Sequence, residues 1–217
     1  YDLVETIIRE INSITRFVFI PMLTRNDNRG DGNKLDYSRA KAGSKNKNLV
    51  RFLGTCVKEN KRDIREIKKY YENYNIEIVF YREAEYFNHR ERASYFEGID
   101  GELLSGSVIV VDPDNGLEVK NSNHKHLLFR EVEGLYQKMD KSSILVLFQF
   151  FPRVHRNTYL SRRSKELREN TGDLPVYIHD NDVVFFVLTK NHKLKEKLSK
   201  IILEYRDSYP ELITGNQ

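Results

Sequence analysis

Asp112-Pro113-Asp114-Asn115-Gly116 packs two carboxylates, an amide and a turn glycine directly behind the aliphatic run Val108-Ile109-Val110-Val111. Carboxylates at that density can accept a proton or an amine hydrogen, or hold a divalent cation. Pro113 fixes its own φ and the Asn115-Gly116 pair supplies a turn with positive φ, so the acids are held rather than loose. An ordinary polar turn capping a strand needs fewer of them. Asp112, Pro113, Asp114 and Asn115 are therefore the candidate catalytic residues.

Three other stretches carry chemistry-bearing side chains. Gln149, Arg153, His155 and Arg156 follow the next apolar run and form a basic cluster able to hold a phosphate. Arg162, Arg163, Lys165 and Arg168 extend it as a helix face of the kind usually left to solvent. Asp27, Arg29, Asp31 and Asn33 alternate in the polar loop Arg25 to Asn33, which has neither the twelfth-position Glu nor the flanking helices of an EF-hand. It reads as a loop covering a cofactor or substrate. His124 and His126 read as a surface pair without a third ligand, and Cys56, inside a helical apolar pattern, reads as core. With no Gly-x-Ser-x-Gly elbow and no Gly-x-x-x-x-Gly-Lys loop, serine hydrolase, P-loop NTPase and cysteine enzyme are disfavoured.

The elements that must position these residues are legible as apolar patterns. The 217 residues are 39% hydrophobic and 31% charged, which fits a single folded domain over 1–217. Helical spacing predicts helices over 2–13, 48–73 with a break near 58–61, 89–99, 129–139, 155–170 and 194–205. Short β-branched and aromatic runs predict strands at 17–20, stopped by Pro21, and at 76–81, 107–112, 143–150, 176–179 and 183–188, with a frayed tail at the end. The tight turn Asp180-Asn181-Asp182 makes the last two strands an antiparallel hairpin at one edge. The expected fold is α/β, a Rossmann-like three-layer sandwich with a mostly parallel sheet and a C-terminal antiparallel hairpin. In such sheets ligands lie at the carboxyl ends of the strands, so Thr24 to Asn33, Arg82 to Glu85, Asp112 to Gly116 and Gln149 to Arg156 are the loops to inspect.

One Cys excludes an internal disulfide and a cysteine-based metal centre, and the reading is cytoplasmic. No apolar run approaches the ~20 residues of a membrane span, and Tyr1 to Glu5 lacks the shape of a signal peptide. The net charge of +4 permits a nucleic-acid partner, although 36 basic against 32 acidic residues is nearly balanced.

Strand, Asp-Pro loop, helix, strand, helix and closing hairpin resemble the class I S-adenosylmethionine-dependent methyltransferase fold. Asp112-Pro113 is similar to the start of the Asp-Pro-Pro-Tyr signature of amino-group nucleic-acid methyltransferases, the ribosomal RNA adenine-N6 enzymes among them. It is similar also to the Asp-Pro-Phe-Gly loop of the three-Cys-motif partner proteins. The resemblance implies a methyltransferase modifying an amino group of nucleic acid, with Asp112 as amine acceptor and Pro113 lending its carbonyl. It further implies cofactor contacts after the first strand, at Asp31, Gly32 and Asn33. Asp114 and Asn115 stand where that signature carries its aromatic, and no strand ending in an acid for the cofactor ribose is read before 76–81.

The same segment also resembles the Pro-Asp and Glu-x-Lys elements of a nuclease superfamily. That alternative implies a Mg²⁺ held by Asp112, Asp114 and Glu118, with Lys120 assisting the water. A third expectation is a non-catalytic descendant that binds nucleic acid or a partner protein.

Overall fold

A computed structural model of the chain describes residues 1–25, 42–61, 63–83 and 85–215. The apolar runs become strands β1 (Arg16–Met22), β2 (Glu77–Phe80) and β3 (Ser107–Pro113). A small separate pair follows, β4 (Gly116–Leu117) and β5 (His126–Leu127). The remaining strands are β6 (Ile144–Phe150), β7 (Val176–His179), β8 (Val183–Leu188) and β9 (Ile213–Gly215).

Seven strands form one sheet in the order β2-β1-β3-β6-β8-β7-β9. The pairs β2/β1, β1/β3 and β3/β6 are parallel, whereas β6/β8, β8/β7 and β7/β9 are antiparallel. β1, β2, β3, β6 and β7 therefore run one way and β8 and β9 the other. The sheet is mostly parallel, as the strand and helix alternation requires.

Period-two alternation divides the buried side chains into two cores. Phe17, Phe19, Val108, Val110, Ile144 and Val146 face α1 (Asp2–Glu10), α3 (Ile67–Glu72) and α8 (His192–Ser208), with α2 (Lys47–Lys58) at the rim. Val18, Ile20, Ile109, Val111, Leu145 and Leu147 face the opposite layer, built by α4 (Arg92–Glu97), α5 (Gly101–Leu104), α6 (Phe129–Lys138) and α7 (Arg156–Thr171). A sheet covered on both faces explains why its central strands are apolar throughout rather than alternating. Each such Val, Leu or Ile contributes roughly 1.5–3 kcal/mol by leaving water.

Four expectations need correction. Pro21 does not end β1, which runs on to Met22 with Pro21 in register with Asp112. Phe19 O accepts from Tyr81 N at 2.9 Å, so the backbone two residues later faces the same side, where β2 has already ended. The missing proline N–H costs the ladder nothing there. Second, the hairpin does not simply add an edge: β8 inserts between β6 and β7, and the expected frayed tail supplies β9, paired with β7. Third, α5 joins the list of helices, its start set by the Asp100 carboxylate accepting from Glu102 N. Fourth, Cys56 is only partly buried, because α2 sinks Leu49 alone fully into the core. The break after α2 falls as expected, with Asn60 in the left-handed region at φ 55°. No helix among the described residues is long and apolar enough to cross a membrane.

A candidate functional site at the carboxyl edge of the sheet

The chain leaves β1 toward β2 on one side and returns to β3 on the other, so the strand order reverses at β1. Open α/β sheets hold ligands in the crevice at such a reversal, at the carboxyl ends of the strands. β1 and β3 reach it together, Pro21 beside Asp112 and Met22 beside Pro113. Asp112 thus stands at the one place in the sheet where topology by itself opens a crevice.

Asp112 is partly buried, and strand alternation puts it on the Val108 and Val110 face. Burial, helped by the charge of Asp114 and opposed by the nearby Tyr1 ammonium, pushes its carboxyl up to about 6. Asp114 is exposed and anchored: Thr24 Oγ1 donates to its Oδ2 at 3.0 Å and Lys125 Nζ lies 2.6 Å from the same oxygen. The two acids therefore differ in environment. Asp114 ties the end of β1 to the approach of β5, whereas Asp112 lies on the α1 side of the sheet within electrostatic reach of the Tyr1 amino group.

The loop is held from below. Asn115 N donates to Lys125 O at 2.8 Å, and β4 and β5 pair in parallel, Gly116 with His126 and Leu117 with Leu127. Gly116 adopts φ +90°, and a Cβ there would lie 2.5 Å from the Gln149 amide. Only glycine satisfies both demands. Gln149 is buried, its Oε1 accepting from Leu117 N at 2.6 Å and its Nε2 donating to Phe150 O. Expected among the phosphate-binding side chains, Gln149 instead spends its amide on the backbone beneath the loop.

Behind β5 lies a buried ion pair. Arg92 of α4 and Glu131 of α6 are 3.1 Å apart with side chains 4% and 5% exposed, and Arg92 donates to His126 O. Glu131 also accepts from Leu128 N at 2.8 Å, capping α6. Burial raises Glu131 to about 7 and lowers Arg92. His126 is itself buried, its Nδ1 3.0 Å from Asn123 Oδ1, so it closes a turn rather than joining His124 as a surface pair.

The remaining predicted residues are spread out. Arg153, His155 and Arg156 are exposed after β6, the strand next to β3. Arg156 donates to Asn181 O at 2.7 Å and lies 5.6 Å from the Phe151 ring centroid, which fixes it to the hairpin turn. Glu118 accepts from Phe129 N at 2.8 Å and so serves the start of α6. Among the described residues no group of three or more His, Cys, Asp or Glu is placed to hold a metal ion, and the set Asp112, Asp114 and Glu118 does not assemble. Lys120 lies in an exposed turn, and the lysine that pairs with Asp114 is Lys125. Asp31, Gly32 and Asn33 lie outside the described residues.

Sequence reasoning put Thr24 and Phe150 within loops to inspect without giving either a role, and it did not reach Lys125. Phe150 is 47% exposed, edge-on to Phe148 at 4.7 Å, and alternates onto the Asp112 face. Its position at a strand end beside that loop was the available signal. No strand lies between β1 and β2, which pair directly, and the loop after β2 carries Glu83, 2.5 Å from Lys68, and Glu85, 3.3 Å from Arg82. Comparison with protein-family models, with curated proteins and with solved structures yields no match.

Proposed function

We propose that the chain is a methyltransferase-like enzyme that takes S-adenosylmethionine and an amino group of nucleic acid at the crevice between β1 and β3. The observation that carries the reading is Asp112-Pro113 at the strand-order reversal, with the Asp112 carboxyl partly buried and the Tyr1 amino group as the opposite charge beside it. The described residues fit the donor by chemistry: a sulfonium cation is favoured beside Asp112 and Asp114, and a ribose diol beside the acids that follow β2. When bound, S-adenosylmethionine supplies the methyl group. Asp112, ionised above about pH 6, accepts a hydrogen from the target amine, and the Pro113 carbonyl offers a second acceptor. Phe150 offers a flat apolar surface for a base on the same face, although the loop itself carries no aromatic. Arg153 and His155, exposed on the adjoining rim, are available to backbone phosphates.

Isothermal titration with S-adenosylmethionine tests this directly. Wild type should bind the donor, and Asp112→Ala should weaken binding about tenfold or more, the value of one lost charge-assisted contact. Absence of donor binding, or binding indifferent to Asp112→Ala, sinks the proposal. Mg²⁺ binding dependent on Asp112 in place of donor binding would favour the nuclease.

A further inference from the structure

A second site is carried by α7 and the sheet edge beside it, independently of the reading above. We propose that the cleft between α7 and β7 binds a phosphate group. Asn157, Ser161, Ser164, Lys165 and Arg168 line one wall, spaced by four, three, one and three residues along a single helix face, and Tyr177 of β7 lines the other. The cleft encloses about 310 Å³, at the small end for ligand sites, enough for a phosphate with a sugar-sized attachment.

Its chemistry is one-sided. Every polar side chain in the lining can donate a hydrogen bond, two are permanently cationic at neutral pH, and no carboxylate lines it. Among the described residues the side chains of Asn157, Ser161 and Arg168 and the Tyr177 hydroxyl make no hydrogen bond or ion pair. Lys165 has only a loose pairing with Glu169 at 3.8 Å, both well exposed. Arg162 and Arg163 do not line the cleft. Arg162 and Arg163 both reach Glu166, at 3.9 and 2.7 Å, and Arg163 is buried against Tyr159 and Phe129. Of the two cations that line the cleft, Lys165 is only loosely paired and Arg168 has no acidic partner among the described residues.

Phosphate is the anion that this donor set fits. A carboxylate has two oxygens in one plane and would satisfy the Arg168 fork while leaving Ser161, Asn157 and the Tyr177 hydroxyl idle. A phosphate presents three oxygens in a tetrahedral array, and the Arg fork, two hydroxyls and an ammonium can meet all of them. The site is separate from Asp112: α7 covers the opposite face of the sheet, and β7 lies three strand spacings from β3, roughly 14 Å at ~4.8 Å each.

The phosphate can belong to a monoester or to the backbone of a strand, and titration separates them. Wild type is titrated calorimetrically in chloride buffer with inorganic phosphate, with adenosine 5′-monophosphate and with a single-stranded oligonucleotide. The same titrations are run on Arg168→Ala, on Lys165→Ala and on Arg162→Ala. Arg168 and Lys165 are exposed, so both variants should fold, as an unchanged melting temperature will verify. The expected result is a loss of about tenfold or more in phosphate affinity for Arg168→Ala, a smaller loss for Lys165→Ala, and none for Arg162→Ala. Binding of the mononucleotide without the oligonucleotide assigns a monoester. Oligonucleotide binding whose salt slope falls by about 1 in Arg168→Ala assigns a backbone phosphate. The proposal is overturned if no phosphate-bearing probe binds, if Arg168→Ala binds as well as wild type, or if acetate binds as tightly as phosphate.

Discussion

Asp112 and Asp114 are two residues apart and have opposite situations. Thr24 and Lys125 hold the Asp114 carboxylate by a hydrogen bond and an ion pair, whereas burial works against the charge of Asp112. Ionising Asp112 is harder in the folded chain than in the unfolded one, where its ordinary value is 3.8. The protonated folded state is therefore favoured, and the stability associated with Asp112 is full below about pH 4 and is lost as the pH rises to about 6. Asp112→Asn removes that loss. Urea unfolding should show the variant gaining on wild type by on the order of 2–3 kcal/mol between about pH 4 and pH 7, at 1.36 kcal/mol per unit. A constant difference across that range would mean that the carboxyl is not desolvated. The residue types at this site were plain in the sequence. Which acid is anchored at the surface and which is desolvated was not, because Thr24 lies 90 residues away from Asp114 in the chain.

The loop owes its shape to elements too short to announce themselves. β4 and β5 have two residues each, and neither Gly116-Leu117 nor His126-Leu127 makes a pattern against which a period can be measured. Their support is the buried Arg92–Glu131 pair, joining α4 to α6 and reaching β5 through the His126 carbonyl. Removing one member of such a pair leaves the other charged and dry, at a cost of about 3–5 kcal/mol, while replacing both with apolar residues is far less damaging. Arg92→Met alone should therefore destabilise by that amount. Arg92→Met combined with Glu131→Gln, which keeps an acceptor for Leu128 N, should recover more than 1 kcal/mol of it. Additive single and double variants in a denaturation cycle would show the pair to be uncoupled.

Across the whole molecule, the sheet is closed at one edge by the strand least visible in the sequence. β9 covers β7, and the Tyr177 ring lies over Gly215, where a side chain would collide with it. A bare β7 would offer its unpaired backbone groups to another chain. Deleting 213–217 should speed amide hydrogen exchange in β7, leave β3 and β6 the slowest, and raise light scattering on storage. Unchanged exchange in β7 would show that β9 protects nothing. The sequence by itself determined the types of the longer elements, the two-sided burial of the central strands and the place of the Asp-Pro loop after β3, because apolar period and turn chemistry are local properties. Strand order, the insertion of β8 between β6 and β7, the passage of β1 through Pro21 and the partners of each charged residue were decided only in the tertiary structure. Those features depend on which surfaces meet across long stretches of chain, and local pattern carries no record of that meeting.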